Sequence, residues 1–137
     1  MSSVRKGAYA IITTDLTIGP LVENAGNTAN PYRVYLGQGF NNETLPYIIM
    51  RAYMTSGSYT KQKKSSIDEF RLELDIYADE IATAETIGGY CRTALEGYSG
   101  VVNGANIDGC RLDTEDEDVD EQATSFWTQD YQIRIGR

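Results

Sequence analysis

The 137-residue chain contains no histidine. That removes the commonest general base and the commonest metal ligand from any catalytic scheme. Cysteine is nearly as scarce, with two in all. Cys91 and Cys110 lie far apart and make no C-x-x-C pair. Cys91 falls on an apolar helical face and Cys110 in a strand-like run, so both are expected as buried free thiols. No apolar run approaches the ~18 residues of a membrane span. The charged start, Met1 to Lys6, is not followed by a signal-type apolar segment, because Thr13, Thr14 and Asp15 interrupt it. The sequence therefore predicts no membrane partner and a protein made and assembled in a cytoplasm. Positive charge is also short: 12 Lys and Arg stand against 20 Asp and Glu, a net charge of −8. A general nucleic-acid binder draws most of its affinity from phosphate neutralisation, so this balance argues against gripping DNA. It leaves open DNA sliding past a like-charged wall.

Hydrophobic residues make up 41% and charged residues 23%, near the globular norm. The length fits a single domain over 1–137 with a real core. Phe70 to Leu95 carries the clearest pattern. Phe70, Leu72, Leu74 and Ile76 alternate with Arg71, Glu73, Asp75 and Tyr77, the period of a half-buried strand. From Asp79 the period changes. Ile87, Cys91, Ala94, Leu95 and Tyr98 recur at helical steps, and Gly97 suits a C-cap.

Ahead of this, Ser3 can cap a first helix with Ala8, Ile11, Ile12 and Leu16 on one face, broken at Gly19-Pro20. Loops are expected over 25–31 and 37–44, with a short strand at Tyr32 to Leu36 between them. Tyr47 to Met54 is apolar except for Arg51 and predicts a central strand. A long polar hairpin, Thr55 to Ser66, joins it to the Phe70 strand. After the second helix, Asn103-Gly104 marks a tight turn. Ile107 to Leu112, an acidic stretch, and an alternating strand from Trp127 to Ile135 complete the chain, with Gln129 as a polar exception on the inner row. The order α-β-β-β-α-β-β predicts an α+β fold, a mostly antiparallel sheet with two helices on one face.

Two charged segments stand out as candidate interface. Asp113 to Glu121 includes Glu115, Asp116, Glu117 and Asp118. It fails as a calcium loop, because Asp118 stands where the sharp-turn glycine belongs and Thr124 where the closing glutamate belongs. Consecutive acids on one exposed loop also lack the separated environments of a catalytic pair. The readings left are a solvated acidic loop or a charge-complementary docking surface. Lys61, Lys63 and Lys64 lie at the hairpin tip, either as a solubilising tip or as an arm toward an acidic partner. Such a partner is available in Asp113 to Glu121 of a neighbouring copy. Tyr59, with Tyr35 and Tyr53, suits an interface, where tyrosine is enriched. Tyr47, Tyr90, Tyr98 and Tyr131 fall on apolar faces and read as core. Gly37 to Gly39 has neither the glycine spacing nor the lysine of a phosphate loop. No catalytic residue, metal ligand or cofactor site is expected.

Four segments taken in order give the chain a family resemblance. They are the N-terminal amphipathic helix; Leu45-Pro46-Tyr47-Ile48-Ile49-Met50; Leu72 to Ala78 with its helix to Gly97; and Cys110-Arg111-Leu112 leading through the acidic stretch to Trp127–Arg134. Over nearly its full length the chain resembles the tail-completion, or tail terminator, family of long-tailed bacteriophages. The resemblance implies a structural virion protein that forms a ring, typically of six, at the head-proximal end of the tail tube. Its partners would be itself, the tail tube protein and a head-proximal neck or connector protein, with genomic DNA passing through the lumen without specific binding. Arg51 and the long basic hairpin depart from the pattern. Other readings are a different neck ring (connector or stopper), a small α+β enzyme, and a monomeric module binding basic peptides through Asp113 to Glu121.

Overall fold

A computed structural model describes residues 3–24, 31–37, 44–59, 64–121 and 123–136. Most of the two loops expected at 25–31 and 37–44, and both Lys61 and Lys63, lie outside these residues. The elements are α1 (Ser3–Thr14), α2 (Ile18–Leu21), β1 (Val34–Leu36), β2 (Tyr47–Tyr59), β3 (Lys64–Tyr77), α3 (Ile81–Leu95), β4 (Gly100–Val102), β5 (Ala105–Val119) and β6 (Ser125–Gly136). The fold is α+β. The strands form one sheet in the order β1-β2-β3-β6-β5-β4. All neighbours are antiparallel except the short β1, which runs parallel to β2.

The core forms where α1 and α3 cover one face of this sheet. Val4, Ala8 and Ile12 of α1 and Ala84, Ile87, Cys91 and Leu95 of α3 pack with Ile48 and Met50, with Leu72, Leu74 and Ile76, and with Tyr131, Ile133 and Ile135. The strand alternation read from the sequence sets this up, since Leu72, Leu74 and Ile76 of β3 are fully buried and Phe70 is partly buried against them. Gly97 ends α3 with φ +80°, and Asn103 and Gly104 turn with φ 48° and 85°. Both lie in the left-handed region those turn positions require.

Four expectations change. The first helix stops at Thr14, and Leu16 is 93% exposed instead of lying on its apolar face. Asp15 Oδ1 accepts the N–H groups of Thr17 and Ile18, at 2.8 and 3.0 Å. That cap turns the chain and gives the buried position to Ile18. Gly19 does not break a helix. It lies within the one-turn α2, where a Cβ would stand 2.6 Å from the Thr13 carbonyl oxygen. Tyr90 is 39% exposed and outside the core. The largest change concerns the acidic stretch, which is not a loop up to Val119 but the outer half of β5.

Candidate assembly surface

The paired registers fix where the two charged segments lie. β3 and β6 pair from Ile67↔Gly136 to Ile76↔Trp127, about 30 Å of strand at ~3.3 Å per residue. The β2–β3 hairpin closes beyond the Ile67 end, past the pair Tyr59↔Lys64. The β5–β6 hairpin closes beyond the Ile76 end, past Val119↔Ser125. The lysine-rich and acidic hairpins therefore occupy opposite ends of one sheet and cannot meet within a single chain. Lys64 opens β3 and Tyr59 closes β2.

A bulge then divides the acidic residues among themselves. Leu112 pairs with Tyr131 and Thr114 with Asp130, leaving Asp113 as an extra residue. Before it, Cys110 and Leu112 share the helix-covered face with Ile133 and Tyr131. After it, that face belongs to the odd-numbered residues, and Glu115 comes opposite Gln129. One inserted residue has reversed the side-chain parity of the strand.

Glu115 consequently belongs to a polar cluster beneath α3. Its Oε1 accepts Trp127 Nε1–H and Gln129 Nε2–H, each at 3.1 Å, and its Oε2 accepts Arg92 Nη1–H. Gln129 is fully buried; it also donates to the Gly88 carbonyl at 2.8 Å and accepts the Tyr131 hydroxyl at 2.8 Å. Burial pushes the Tyr131 phenol well above its ordinary range, so it stays a neutral donor. Gly88 is needed for this approach, because a Cβ there would stand 2.5 Å from Trp127 Cδ1. In the sequence Gln129 stands out as a polar exception on the inner row and Glu115 as a candidate interface residue; the structure turns Glu115 inward instead.

Asp116 and Asp118 share the opposite face with Thr128 and Phe126. Their Oδ1 atoms accept the backbone N–H groups of Glu117 and Val119, both at 2.8 Å. β4 covers β5 only at Ala105–Ile107, so the strand from Asp108 to Val119 is an edge. Acidic side chains along it discourage edge-to-edge pairing.

The helix-free face carries a second polar group. Arg51 Nη1 donates to Glu73 Oε1 at 3.0 Å and to Asp75 Oδ2 at 2.8 Å, and Thr128 Oγ1 donates to Asp75 Oδ1 at 2.8 Å. Arg71 Nη2 donates to Asp130 Oδ2 at 2.8 Å. Desolvation and the neighbouring Asp75 and Asp130 raise the Glu73 carboxyl above its usual range, despite Arg51. An aromatic row crosses the same face: Tyr35 meets Tyr47 edge-on at 5.9 Å, and Tyr47, Tyr77 and Phe126 stack at 4.9 Å spacings. This row explains why Tyr77 and Phe126 are buried on a face without helices.

Both cysteines are buried and free, and burial pushes each thiol up to about 12. That leaves them protonated and unreactive at neutral pH. Among the described residues, no three Cys, Asp or Glu side chains gather in a way that could hold a metal ion. No helix among them is long and apolar enough to cross a membrane.

Comparison with known proteins places this architecture. No curated protein matches the chain in sequence. In fold it is similar to a chain from the virion of a native gene transfer agent (GTA) particle, with a TM-score of 0.72 and 15% sequence identity over 98% of this chain and 95% of that one. The family model for tail completion protein gp17 matches residues 21–136, which includes every strand of the sheet and α3. The chain belongs to the tail completion protein gp17 family and is a structural protein of a phage-type virion tail.

Proposed function

We propose that copies of this chain close into a ring, six in number, at the head-proximal end of a tail tube. There the ring ends tube growth and joins the tail to the head-side neck. The observation that carries this is the charge polarity of the sheet, with lysines at one hairpin and carboxylates at the other, about 30 Å of strand apart. Charges that cannot meet within a chain can meet between copies. A contact between two different surfaces is heterologous, and it closes into a ring when its rotation closes. Lys61, Lys63, Lys64 and Tyr59 form one side of that contact, and Asp116, Glu117 and Asp118 the other. Glu115 supports the second side from within.

The partners in this reading are other copies, the tail tube protein and a neck protein. The net charge of −8 suits a ring whose lumen lets DNA pass without holding it. The role is structural and not enzymatic, a reading supported by the absence of histidine and by two unreactive thiols. The family match and the virion setting of the similar fold support a place in the tail.

Native mass spectrometry of the purified protein, alone and mixed with the tail tube protein, tests the reading. The expected result is a six-copy species in at least one condition, together with tubes of arrested length by electron microscopy. A monomer that ignores the tube protein in both conditions overturns it.

A further inference from the structure

We infer that Arg111 and Arg134 form a two-point anion clamp on the helix-free face, and that it receives the Asp116 and Asp118 carboxylates of a second copy. This rests on the self-assembly reading above and names the side chains that make its contact. Arg111 lies opposite Gln132, and Arg134 opposite Gly109. The two arginines are therefore diagonal neighbours on adjacent strands, ~7–8 Å apart. Between them Gly109 contributes no side chain, and a Cβ there would meet nothing within 4 Å. The result is an open notch of about 230 Å³, lined by both arginines, Gln132, Gly109, Cys110 and Gly97. Arg111 is exposed and has no ion pair among the described residues. Arg134 is paired only with Asp108, at 4.0 Å, with both side chains about half in water. The cross-strand Glu69 carboxylate accepts Gln132 Nε2–H at 3.3 Å. Arg51, Arg71 and Arg92, by contrast, each donate a hydrogen bond to a carboxylate of their own chain.

Charge and spacing select the occupant. The planar fork of a guanidinium takes a carboxylate through two parallel bonds. Asp116 and Asp118 are exposed and share the clamp's face of the sheet, opposite Thr128 and Phe126. Two residues apart on one strand, they stand ~7 Å from each other, which matches the spacing of the arginines. Within one chain even Asp116 is ~15 Å of strand away from Arg111, too far to close on it. A second copy can present both. The clamp lies toward the end of the sheet where β2 connects to β3, since Arg134 pairs with Glu69, and Asp118 lies toward the other end. The contact is therefore heterologous, as a closed ring requires. A DNA backbone is the poorer occupant. It draws affinity from many cations at once, and two arginines flanked by Asp108 and Glu69 offer too few.

Reciprocal charge reversal tests this, read by native mass spectrometry with and without the tail tube protein. R111E/R134E and D116K/D118K are each expected to lose the assembled species that the wild-type protein forms. Mixed in equal amounts they should regain it, with the two variants alternating, because each supplies the charge that the other lacks. Regained assembly also shows that both variants fold. Assembly of R111E/R134E by itself overturns the clamp while self-association stands. So does a loss that mixing does not restore, when both variants unfold at the wild-type temperature. Should a reversed variant unfold early, R111Q/R134Q carries the test: it too is expected to lose the assembled species, and keeping it overturns the clamp. Wild-type binding to a short DNA duplex that R111E/R134E loses would assign the arginines to phosphate and overturn the inference as well. Failure of the wild-type protein to assemble in any condition removes the self-assembly reading, and this inference with it.

Discussion

Beneath α3, Gln129 is fully buried with its amide bonded on both sides, while on the opposite face of the same strands Arg51 and Arg71 keep two-fifths of their side chains in water. Both clusters link neighbouring strands, and both combine arginine with carboxylate. They differ in what replaces a lost partner. On the helix-free face, water reaches the arginine side of each pair, so the pair contributes less there, although Asp75 itself is buried. Around Gln129 and Tyr131 under α3 no water is at hand, and a vacated position leaves a buried donor or acceptor unsatisfied, whereas Arg92 at the margin of that cluster is itself 45% exposed. Similar chemistry is therefore a modest surface feature on one side and a determinant of helix docking on the other.

Four substitutions sharpen or break that comparison, and thermal or denaturant unfolding reads each. Gln129→Leu is expected to cost the most, about 3 kcal/mol, because it keeps the volume but strands the Tyr131 hydroxyl and the Gly88 carbonyl and takes a donor from Glu115. Gly88→Ala follows at about 2 kcal/mol, since the new methyl must displace the Trp127 ring. Trp127 is the chain's single tryptophan, so a fluorescence shift should accompany that loss. Arg71→Ala on the open face should cost less than either of these substitutions. A loss there as large as that of Gln129→Leu would erase the distinction between the faces.

Glu73→Gln gives the smallest effect and the opposite sign. The folded state holds the Glu73 carboxyl above its usual range. Its ionisation therefore works against folding once pH rises through the ordinary unfolded value of about 4.3. Below that value Glu73 is protonated in both states and the term vanishes. Glu73→Gln should be at least as stable as the parent at pH 7, with the difference disappearing in acid. A clear loss of stability at pH 7 would show the Arg51–Glu73 pair to outweigh the desolvation around it.

Much of this fold is legible in periodicity. The alternation of Leu72, Leu74 and Ile76, the helical recurrence of Ile87, Cys91 and Leu95, and the turn at Asn103-Gly104 are local patterns, and the structure keeps them. The end of α1 was less legible, because Leu16 has the right spacing for the apolar face. An Asp15 cap, visible only once the chain has turned, removes it. The acidic stretch reads as a loop in sequence for a related reason. Strand propensity is weak in Asp and Glu, and what holds them extended is the ladder to β6.

The sequence by itself determined the α+β class, the inward rows of the strands, the two buried free thiols and the two segments of opposite charge, because each follows from residue type and spacing along the chain. Only the tertiary structure decided that those charges lie at opposite ends of one sheet. It also decided that Glu115 turns inward to Arg92, Trp127 and Gln129 while Asp116 and Asp118 turn out to an open edge. The physical reason is the extra residue at Asp113. A bulge is set by how two strands pair, and it reverses the facing of every residue beyond it while leaving the composition unchanged.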